Sequence, residues 1–281
     1  MRLDGVGRRY GWRGDWVLRE VDLSLPERSL VRFEGDNGSG KSTLLRMLAG
    51  VETPTEGQIT GRPSCGYVPE RFPAAMPLTT RGYLTHLGRV HGLSRTVAVR
   101  RAGEWLERFG AAGHSDTPLS ELSKGTSQKV AVTQALMARP GLLVLDEAWT
   151  GLDHDARTVL DHAVAERVAE GATVVFVDHD PGRLAGASDA TYRIEGGRLR
   201  PVAEKDGPRR PGRAAGGGKR VRVVAEGPPG QPPPALPASV IAEQLPGGTI
   251  ILTAPVAYSD VLLGSLLEQN WYIRSVREES A

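Results

Sequence analysis

The 281-residue sequence predicts an α/β fold with a parallel-sheet core, an antiparallel β subdomain, a helical insertion and a small α/β C-terminal appendage. Continuous apolar runs at 142–145 and 173–177 predict buried parallel strands, because strands covered on both faces do not alternate with polar residues. A glycine-rich loop lies between a predicted strand at 30–34 and a predicted helix at 42–49 that is closed by Gly50. This strand–loop–helix unit predicts a P-loop nucleotide-binding core.

The loop has the composition and spacing of a P-loop, a cradle for a nucleotide triphosphate. Its glycines allow backbone N–H groups to turn toward a phosphate, and it opens a helix whose N-terminus favours an anion. We expect Lys41 to act near the β- and γ-phosphates and the Ser42 hydroxyl to ligate Mg²⁺. The predicted nucleotide-binding residues of the loop are Gly35, Asn37, Gly38, Ser39, Gly40, Lys41, Ser42 and Thr43.

The strand at 142–145 ends in two adjacent acids, Asp146 and Glu147. Asp146 is predicted to complete the Mg²⁺ site with Ser42. Glu147 lies one position further, where a general base can polarise the attacking water. An apolar strand that ends in an acid is often purely structural, but the P-loop makes the catalytic interpretation the better one.

A third motif precedes a predicted helix rich in Ala, Val and Leu, and it reads Leu-Ser-Lys-Gly-Thr-Ser-Gln-Lys at 122–129. By itself it is typical of a serine-initiated helix N-cap. Together with the P-loop and the acidic strand it resembles the signature sequence of ATP-binding cassette (ABC) ATPases. Lys124 replaces the first glycine of that signature and Thr126 replaces its glutamine. A lysine at this position resembles the drug- and antibiotic-export (ABC-2 type) branch.

The resemblance implies roles for further positions. Ser123 and Gly125 would contact the nucleotide of an opposing cassette, and Asp153, in the Gly-Leu-Asp sequence at 151–153, would lie in the loop that crosses the dimer interface. His179, after the strand at 173–177, matches the switch histidine that contacts the γ-phosphate. Glu147, His179 and Lys41 are therefore the predicted catalytic residues.

An aromatic residue is expected to stack on adenine. Tyr10 matches this position, and the neighbouring Trp12 and Trp16 are alternatives. Because stacking tolerates any base, the preference for ATP over GTP rests on the resemblance alone.

One position departs from the family pattern. Where the family has a glutamine that joins the catalytic core to the helical subdomain, this sequence has Glu70. A carboxylate binds a metal ion more strongly than an amide oxygen but cannot donate a hydrogen bond. It also adds negative charge, which would raise the pKa of a nearby carboxyl group. We expect Glu70 to remain a metal-sensing residue and to tune the rate of hydrolysis.

The resemblance implies an ATP-binding and ATP-hydrolysing subunit that uses ATP and Mg²⁺. It would pair with a second ABC ATPase copy as a homodimer or with a sister subunit. The dimer would drive a separate transmembrane permease, and we expect the transporter to be an exporter. Two alternatives remain open: a soluble ABC ATPase, and a regulatory cassette of low turnover in a heterodimer. The presence of Glu147 and His179 argues against the second alternative.

Composition limits the other classes of function. A net charge of +2 gives no reason to expect a nucleic-acid partner. The single cysteine, Cys65, excludes a disulfide within the chain and suits a reducing cytosol. Because no apolar run reaches the roughly 18–20 residues of a membrane helix and residues 1–4 do not resemble a secretory signal, we expect a cytoplasmic protein that is peripheral at the inner face of the cell membrane through its permease.

The predicted domains are an ABC ATPase domain at 1–197, a flexible basic linker at 198–220 and a small α/β domain at 221–281. We expect the small domain to support dimerisation rather than ligand sensing. Within these domains, antiparallel strands are predicted at 17–25 and 57–68, a helical subdomain at 72–122 with helices at 81–90 and 96–109, and a C-terminal β-α-β-α-β order with strands at 221–224, 249–253 and 271–276 and helices at 239–244 and 259–268.

Overall fold

The computed structural model describes residues 1–11, 14–73, 75–184, 186–202, 220–227, 240–245, 248–255, 259–268 and 271–279. In chain order the strands are β1 (Arg2–Arg9), β2 (Trp16–Ser24), β3 (Leu30–Glu34), β4 (Glu56–Thr60), β5 (Cys65–Val68), β6 (Leu142–Asp146), β7 (Thr173–Val177), β8 (Ala190–Glu195), β9 (Arg198–Pro201), β10 (Arg220–Glu226), β11 (Ile241–Leu245), β12 (Thr249–Pro255) and β13 (Tyr272–Glu279). The helices are α1 (Lys41–Ala49), α2 (Thr80–Val90), α3 (Arg95–Arg108), α4 (Lys124–Leu136), α5 (His154–Ala169) and α6 (Ser259–Glu268), with 3₁₀ turns at Ala112–His114 and Leu119–Glu121.

The central sheet has the strand order β5-β6-β7-β3-β8-β9 and is parallel except for β9. Every residue of β6 and β7 is buried, as their continuous apolar sequences predict. Because β3, β6 and β7 are parallel neighbours, the loops that follow them emerge at one edge of the sheet. That edge carries the candidate site.

The antiparallel subdomain has the order β2-β1-β4. The predicted strand at 17–25 is present as β2, but the segment at 57–68 divides into two strands in different sheets. Its first half, β4, pairs antiparallel with β1, whereas Cys65 to Val68 form β5, which is parallel to β6. Pro63 separates the two halves, and the apolar β5 is covered by the core, so the antiparallel assignment of 65–68 is wrong. β1 was not predicted, because Gly5 and Gly7 interrupt its apolar alternation.

The helical insertion contains α2 and α3 close to the predicted bounds. Each helix begins at a side-chain cap: Thr79 accepts from the Gly82 N–H, and Ser94 accepts from the Val97 N–H. Such caps satisfy backbone donors that have no partner inside the helix, which explains why the helices begin there.

The predicted linker at 198–220 differs from the structure at its start, because 198–201 form β9, paired antiparallel with β8. Gly196 and Gly197 connect the two strands with φ values of 56° and 74°, the left-handed conformation that a two-residue hairpin turn requires. Residues 203–219 of the predicted linker lie outside the described residues.

The C-terminal region contains a four-stranded antiparallel sheet of order β11-β12-β10-β13 together with α6. The strands predicted at 221–224, 249–253 and 271–276 correspond to β10, β12 and β13, and the helix at 259–268 has the predicted bounds. The helix predicted at 239–244 is wrong: 241–245 form β11 on the edge of β12, and Ser239 lies outside the described residues. So short a segment gains little from helix formation, whereas the β-branched Ile241 and pairing with β12 favour a strand.

No helix among the described residues is long and apolar enough to cross a membrane. Cys65 lies in β5, and burial raises the pKa of its thiol to about 12.

Candidate functional site

The phosphate loop, residues 35–43, connects β3 to α1. Gly35, Gly38 and Gly40 have φ values of 147°, 79° and 105°, which side chains other than glycine rarely adopt. At Gly35 space is also limited: a Cβ would lie 2.6 Å from Ser39 Oγ and 2.7 Å from the Ile194 carbonyl oxygen. The loop curvature therefore depends on glycine in both conformation and packing.

Lys41 is buried within the curve of the phosphate loop. Its Nζ donates to the carbonyl oxygens of Gly35 at 2.7 Å and Asp36 at 2.9 Å. The ammonium group is therefore held inside the loop, although long lysine side chains usually extend to solvent. The buried hydroxyl of Ser39 has no hydrogen-bond partner among the described residues. A positive charge and an unpaired hydroxyl thus lie together in a concave loop, a chemistry that suits a phosphate.

Asp146, at the end of β6, meets the start of α1. Ser42 Oγ donates to Asp146 Oδ1 at 3.2 Å, while the buried Oδ2 has no partner among the described residues. Burial raises the pKa of Asp146 to about 6, and the negative charges of Glu70 and Glu147 add to that increase. The orphaned oxygen and the raised pKa both indicate a carboxylate that lacks a positive partner.

This donor set fits Mg²⁺. The ion takes one or two protein oxygens and completes an octahedron with water and phosphate oxygens, so Ser42 and Asp146 would suffice beside a bound nucleotide. The described residues contain no cluster of three or more His, Cys, Asp or Glu side chains that would hold a metal without a nucleotide.

Glu70 follows β5. Its half-exposed side chain lies 3.9 Å from Arg71, and its charge acts on Asp146, so the structure places it in electrostatic range of the predicted metal site. The preceding strand is held by Gln134, whose Nε2 donates to the Tyr67 carbonyl oxygen at 2.6 Å.

Glu147 and His179 are brought together from the ends of β6 and β7. His179 Nε2 lies 2.7 Å from Glu147 Oε1. Glu147 has a φ of 53°, a strained conformation for a residue with a side chain, and its N–H donates to the Val177 carbonyl oxygen at 3.0 Å. Strain of this kind persists only where the surroundings impose it, and it concentrates at functional sites.

The segment at 122–129 forms the start of α4. Ser123 is its N-cap and accepts from the Thr126 N–H at 3.1 Å. Gln128, for which the sequence predicted no role, is buried and donates to the Ala148 carbonyl oxygen at 2.9 Å. A Cβ at Gly125 would lie 3.0 Å from the Gly151 carbonyl oxygen, so the signature segment and the loop at 151–153 pack closely.

Asp153 joins the same two segments electrostatically. Its carboxylate lies 2.6 Å from Lys129 Nζ and accepts from the Ala156 N–H at 2.9 Å as the N-cap of α5. The hydrogen bond from Lys129, followed by that from Ala156, lowers the pKa of Asp153. The contribution of Lys129 was not predicted, because spacing along the chain does not reveal a partner 24 residues away.

Tyr10 is tied to the start of α1. Its hydroxyl donates to Glu52 Oε2 at 2.9 Å, accepts from Arg46 at 3.0 Å and lies 3.3 Å from Thr43 Oγ1. The Arg8 guanidinium covers its ring at 4.8 Å from the centroid, and the side chain remains half exposed.

Of the alternatives for base stacking, Trp16 lies under the Arg9 guanidinium at 4.9 Å, and Trp12 lies outside the described residues.

The structure thus unites Lys41, Ser42, Asp146, Glu147 and His179 at one edge of the sheet, with Glu70 near them. Ser123, Gly125 and Asp153 form a second group. Within the described ranges, no hydrogen bond joins Ser123 or Asp153 to the phosphate loop.

Residues 18–150 match the family model described as ABC transporter. The uncharacterized ABC transporter ATP-binding protein YhaQ of Bacillus subtilis is 36% identical over 64% of this chain and 62% of its own length. The zinc import ATP-binding protein ZnuC of Cereibacter sphaeroides is 37% identical over 62% of this chain and 71% of its own length. The chain therefore spans less than two thirds of the length of YhaQ and slightly more than two thirds of the length of ZnuC.

Solved structures show the same fold. An ATP-binding subunit of an ABC transporter superposes with a TM-score of 0.65 at 26% identity, covering 70% of this chain and 87% of that one. A dimeric bacterial ABC transporter cassette superposes with a TM-score of 0.64 at 23% identity, covering 73% of this chain and 99% of that one.

Proposed function

The chain belongs to the family of ABC transporter ATPases, and on this basis we propose that it binds and hydrolyses ATP to drive a separate transmembrane permease. The observation that carries the proposal is the pair of contacts at the sheet edge: Ser42 with Asp146 at 3.2 Å, and Glu147 with His179 at 2.7 Å. These contacts support a site in which the phosphate loop follows β3, the proposed metal ligand Asp146 and the proposed base Glu147 lie at the end of β6, and His179 follows β7.

Phosphoryl transfer depends on positioning and charge stabilisation more than on covalent chemistry. The loop amides and Lys41 bind the triphosphate. Glu147 acts as the general base for the attacking water, and His179, whose Nε2 lies 2.7 Å from the Glu147 carboxylate, fixes the direction of that carboxylate. Ser42 and Asp146 would hold Mg²⁺, which would supply neutralisation of charge on the phosphate oxygens. Tyr10 provides a face on which the base stacks.

A second cassette is proposed to complete the site. Ser123 and Gly125 lie at the start of α4, and Asp153 is tied to the same helix through Lys129. Among the described residues, no hydrogen bond joins Ser123 or Asp153 to the phosphate loop of their own chain. In a dimer, Ser123 and Gly125 would contact the nucleotide held by a second copy or by a sister subunit. ATP closes such a dimer because it binds the closed state more tightly than the open one.

The direction of transport and the location in the cell are further parts of the proposal that the family membership leaves open. The expected export direction rests on Lys124 alone, and it has no support from relatives named as zinc and Fe(3+) import proteins. A position at the inner face of the membrane through the permease and a dimerising C-terminal domain are further parts of the proposal. The alternatives are a soluble ABC ATPase and a low-turnover regulatory cassette.

The decisive experiment is purification of tagged Glu147→Gln protein with ATP from detergent-solubilised native membranes, followed by mass spectrometry. Since this variant should keep the closed dimer, we expect a multi-span permease to be recovered and identified. Recovery of ribosomes, DNA-maintenance factors or the chain alone would contradict the transporter proposal, and a distinct second cassette would identify a heterodimer.

Glu70→Gln tests the metal-sensing role of Glu70. Removal of the Glu70 charge should lower the pKa of Asp146. It should also weaken the attraction of the site for the cation, so we expect the Mg²⁺ concentration for half-maximal ATPase activity to rise. The measurement is a Mg²⁺ titration of the turnover rate, with Arg71→Gln as the control for general changes at this exposed site. Identical titrations for Glu70→Gln and the unaltered chain would show that Glu70 has no such role.

A further inference from the structure

Arg32 is a buried cation in the middle of β3. It is only 8% exposed and follows two fully buried residues, Leu30 and Val31. A charged side chain is rarely buried unless it is paired, because loss of hydration costs several kcal/mol. The position of Arg32 in a central strand therefore requires specific partners.

Those partners are backbone carbonyls of the histidine loop, which we define as residues 178–184 after β7. Arg32 Nη1 donates to the Pro181 carbonyl oxygen at 3.1 Å and to that of Arg183 at 3.2 Å, and Nη2 donates to that of Asp180 at 3.1 Å. A guanidinium presents its donors in a planar fork of fixed geometry, which suits several acceptors at once. One side chain thus fixes three peptide groups of the loop.

The guanidinium itself is flanked by residues of two central strands, β3 and β7. Arg32 Nε lies 3.4 Å from Glu34 Oε1, and its guanidinium carbon lies 5.7 Å from the centroid of the Phe176 ring. Both neighbours belong to central strands, so the fork is anchored in the rigid core while its donors reach the loop.

His179 immediately precedes the first clamped carbonyl. We propose that Arg32 is a positioning residue for ATP hydrolysis, which holds the histidine loop so that His179 Nε2 remains 2.7 Å from Glu147 Oε1. The inference rests on the proposed catalytic role of Glu147 and His179. Arg32 does not contact the reacting groups; it acts through the loop.

Arg32→Lys tests this role, because a lysine keeps the charge but offers a point donor instead of a fork. We expect hydrogen exchange of the amides at 178–184 to accelerate. We also expect kcat to fall by up to about a hundredfold, the cost of a 1 Å misplacement, while the KM for ATP stays unchanged. A lost phosphate contact would instead change KM.

The matched control is Arg193→Lys. Arg193 Nη2 pairs with the same Glu34 at 3.1 Å, is half exposed, and makes no hydrogen bond to the histidine loop within the described residues. It should leave both exchange and kcat unchanged. If Arg32→Lys fails to fold, as measured by thermal unfolding, Arg32→Gln replaces it, because its amide removes the charge but retains two donors.

Two results separate this inference from the proposed function. Unaltered exchange at 178–184 in a folded Arg32 variant would overturn the inference, whatever the activity. A wild-type chain without ATPase activity would instead overturn the catalytic proposal for Glu147 and His179, and accelerated exchange in Arg32→Lys would then establish the clamp alone.

Discussion

The phosphate loop and the histidine loop reach the same edge of the sheet but are stabilised in different ways. In the phosphate loop, Lys41 bonds to carbonyls only five and six residues earlier, and the glycines provide the curvature. In the histidine loop, the carbonyls are held by Arg32 from about 150 residues earlier in the chain. Local sequence therefore determines the first loop, whereas the second depends on contacts that exist only after the strands have assembled.

The largest expected effect separates catalysis from binding. Glu147→Gln should lower kcat by about 10²–10⁴, the usual contribution of a general base, because an amide cannot accept the proton from water. ATP binding should persist, since the phosphate loop is unaltered. Single-turnover hydrolysis together with ATP binding by equilibrium dialysis measures the two properties separately.

Glu166→Gln is the control for this substitution, because Glu166 is a half-exposed carboxylate on α5 that pairs with Arg108 and with no other cation among the described residues. A similar loss of hydrolysis in both variants would contradict the role of Glu147 as base.

Much of the phosphate side of the site could be predicted because its signal is contiguous. The spacing of glycines with Lys41 and Ser42, and the acid pair that ends β6, identify the site without tertiary information. The contact of Glu147 with His179 follows from adjacent parallel strands, but its strained φ could not be predicted. The role of Arg32 was missed, although a charge inside an apolar strand was visible in the sequence.

The same limit explains the errors in the fold. The predicted helix at 239–244 became an edge strand because β12 offered pairing partners that lie four to twelve residues away in sequence. The antiparallel assignment at 65–68 failed because the choice of β6 as the partner is a tertiary decision. Alternation and propensity describe a segment; they do not identify its neighbour.

A smaller but more local effect is expected in the phosphate loop. Gly35→Ala should destabilise the fold by about 1–3 kcal/mol for its backbone conformation, with a further loss because the Cβ lies 2.7 Å from the fixed Ile194 carbonyl oxygen. Nucleotide affinity should fall as well. Urea unfolding and ATP binding measure both effects.

Gly38→Ala is the matched control, since Gly38 also has a positive φ but has open space where its Cβ would lie. It should lose only the conformational cost, about 1–2 kcal/mol. Equal losses in the two variants would mean that packing against Ser39 and the distant Ile194 does not shape the loop, so that its local backbone conformation alone would determine its curvature.

The smallest expected effect concerns the loop at 151–153, and it tests whether this loop depends on a distant partner as the histidine loop does. Asp153→Ala removes both the N-cap of α5 and the ion pair with Lys129, whereas Asp153→Asn keeps a cap and removes only the charge. We expect Asp153→Ala to lower the free energy of unfolding by about 1 kcal/mol, and Asp153→Asn by under about 0.5 kcal/mol, because the exposed ion pair is screened by water.

The pH dependence gives the sign of the ionic part. Lys129 and the Ala156 N–H lower the pKa of Asp153 in the folded chain, so the carboxylate stabilises the fold at neutral pH, and this stabilisation is lost as the pH falls through the lowered pKa. The unaltered chain and Asp153→Asn should therefore converge in stability in acid and differ at pH 7, as measured by urea unfolding. If Asp153→Asn loses as much as Asp153→Ala at pH 7, the distant Lys129 supports this segment more than its own cap does, and the segment then resembles the histidine loop rather than the phosphate loop.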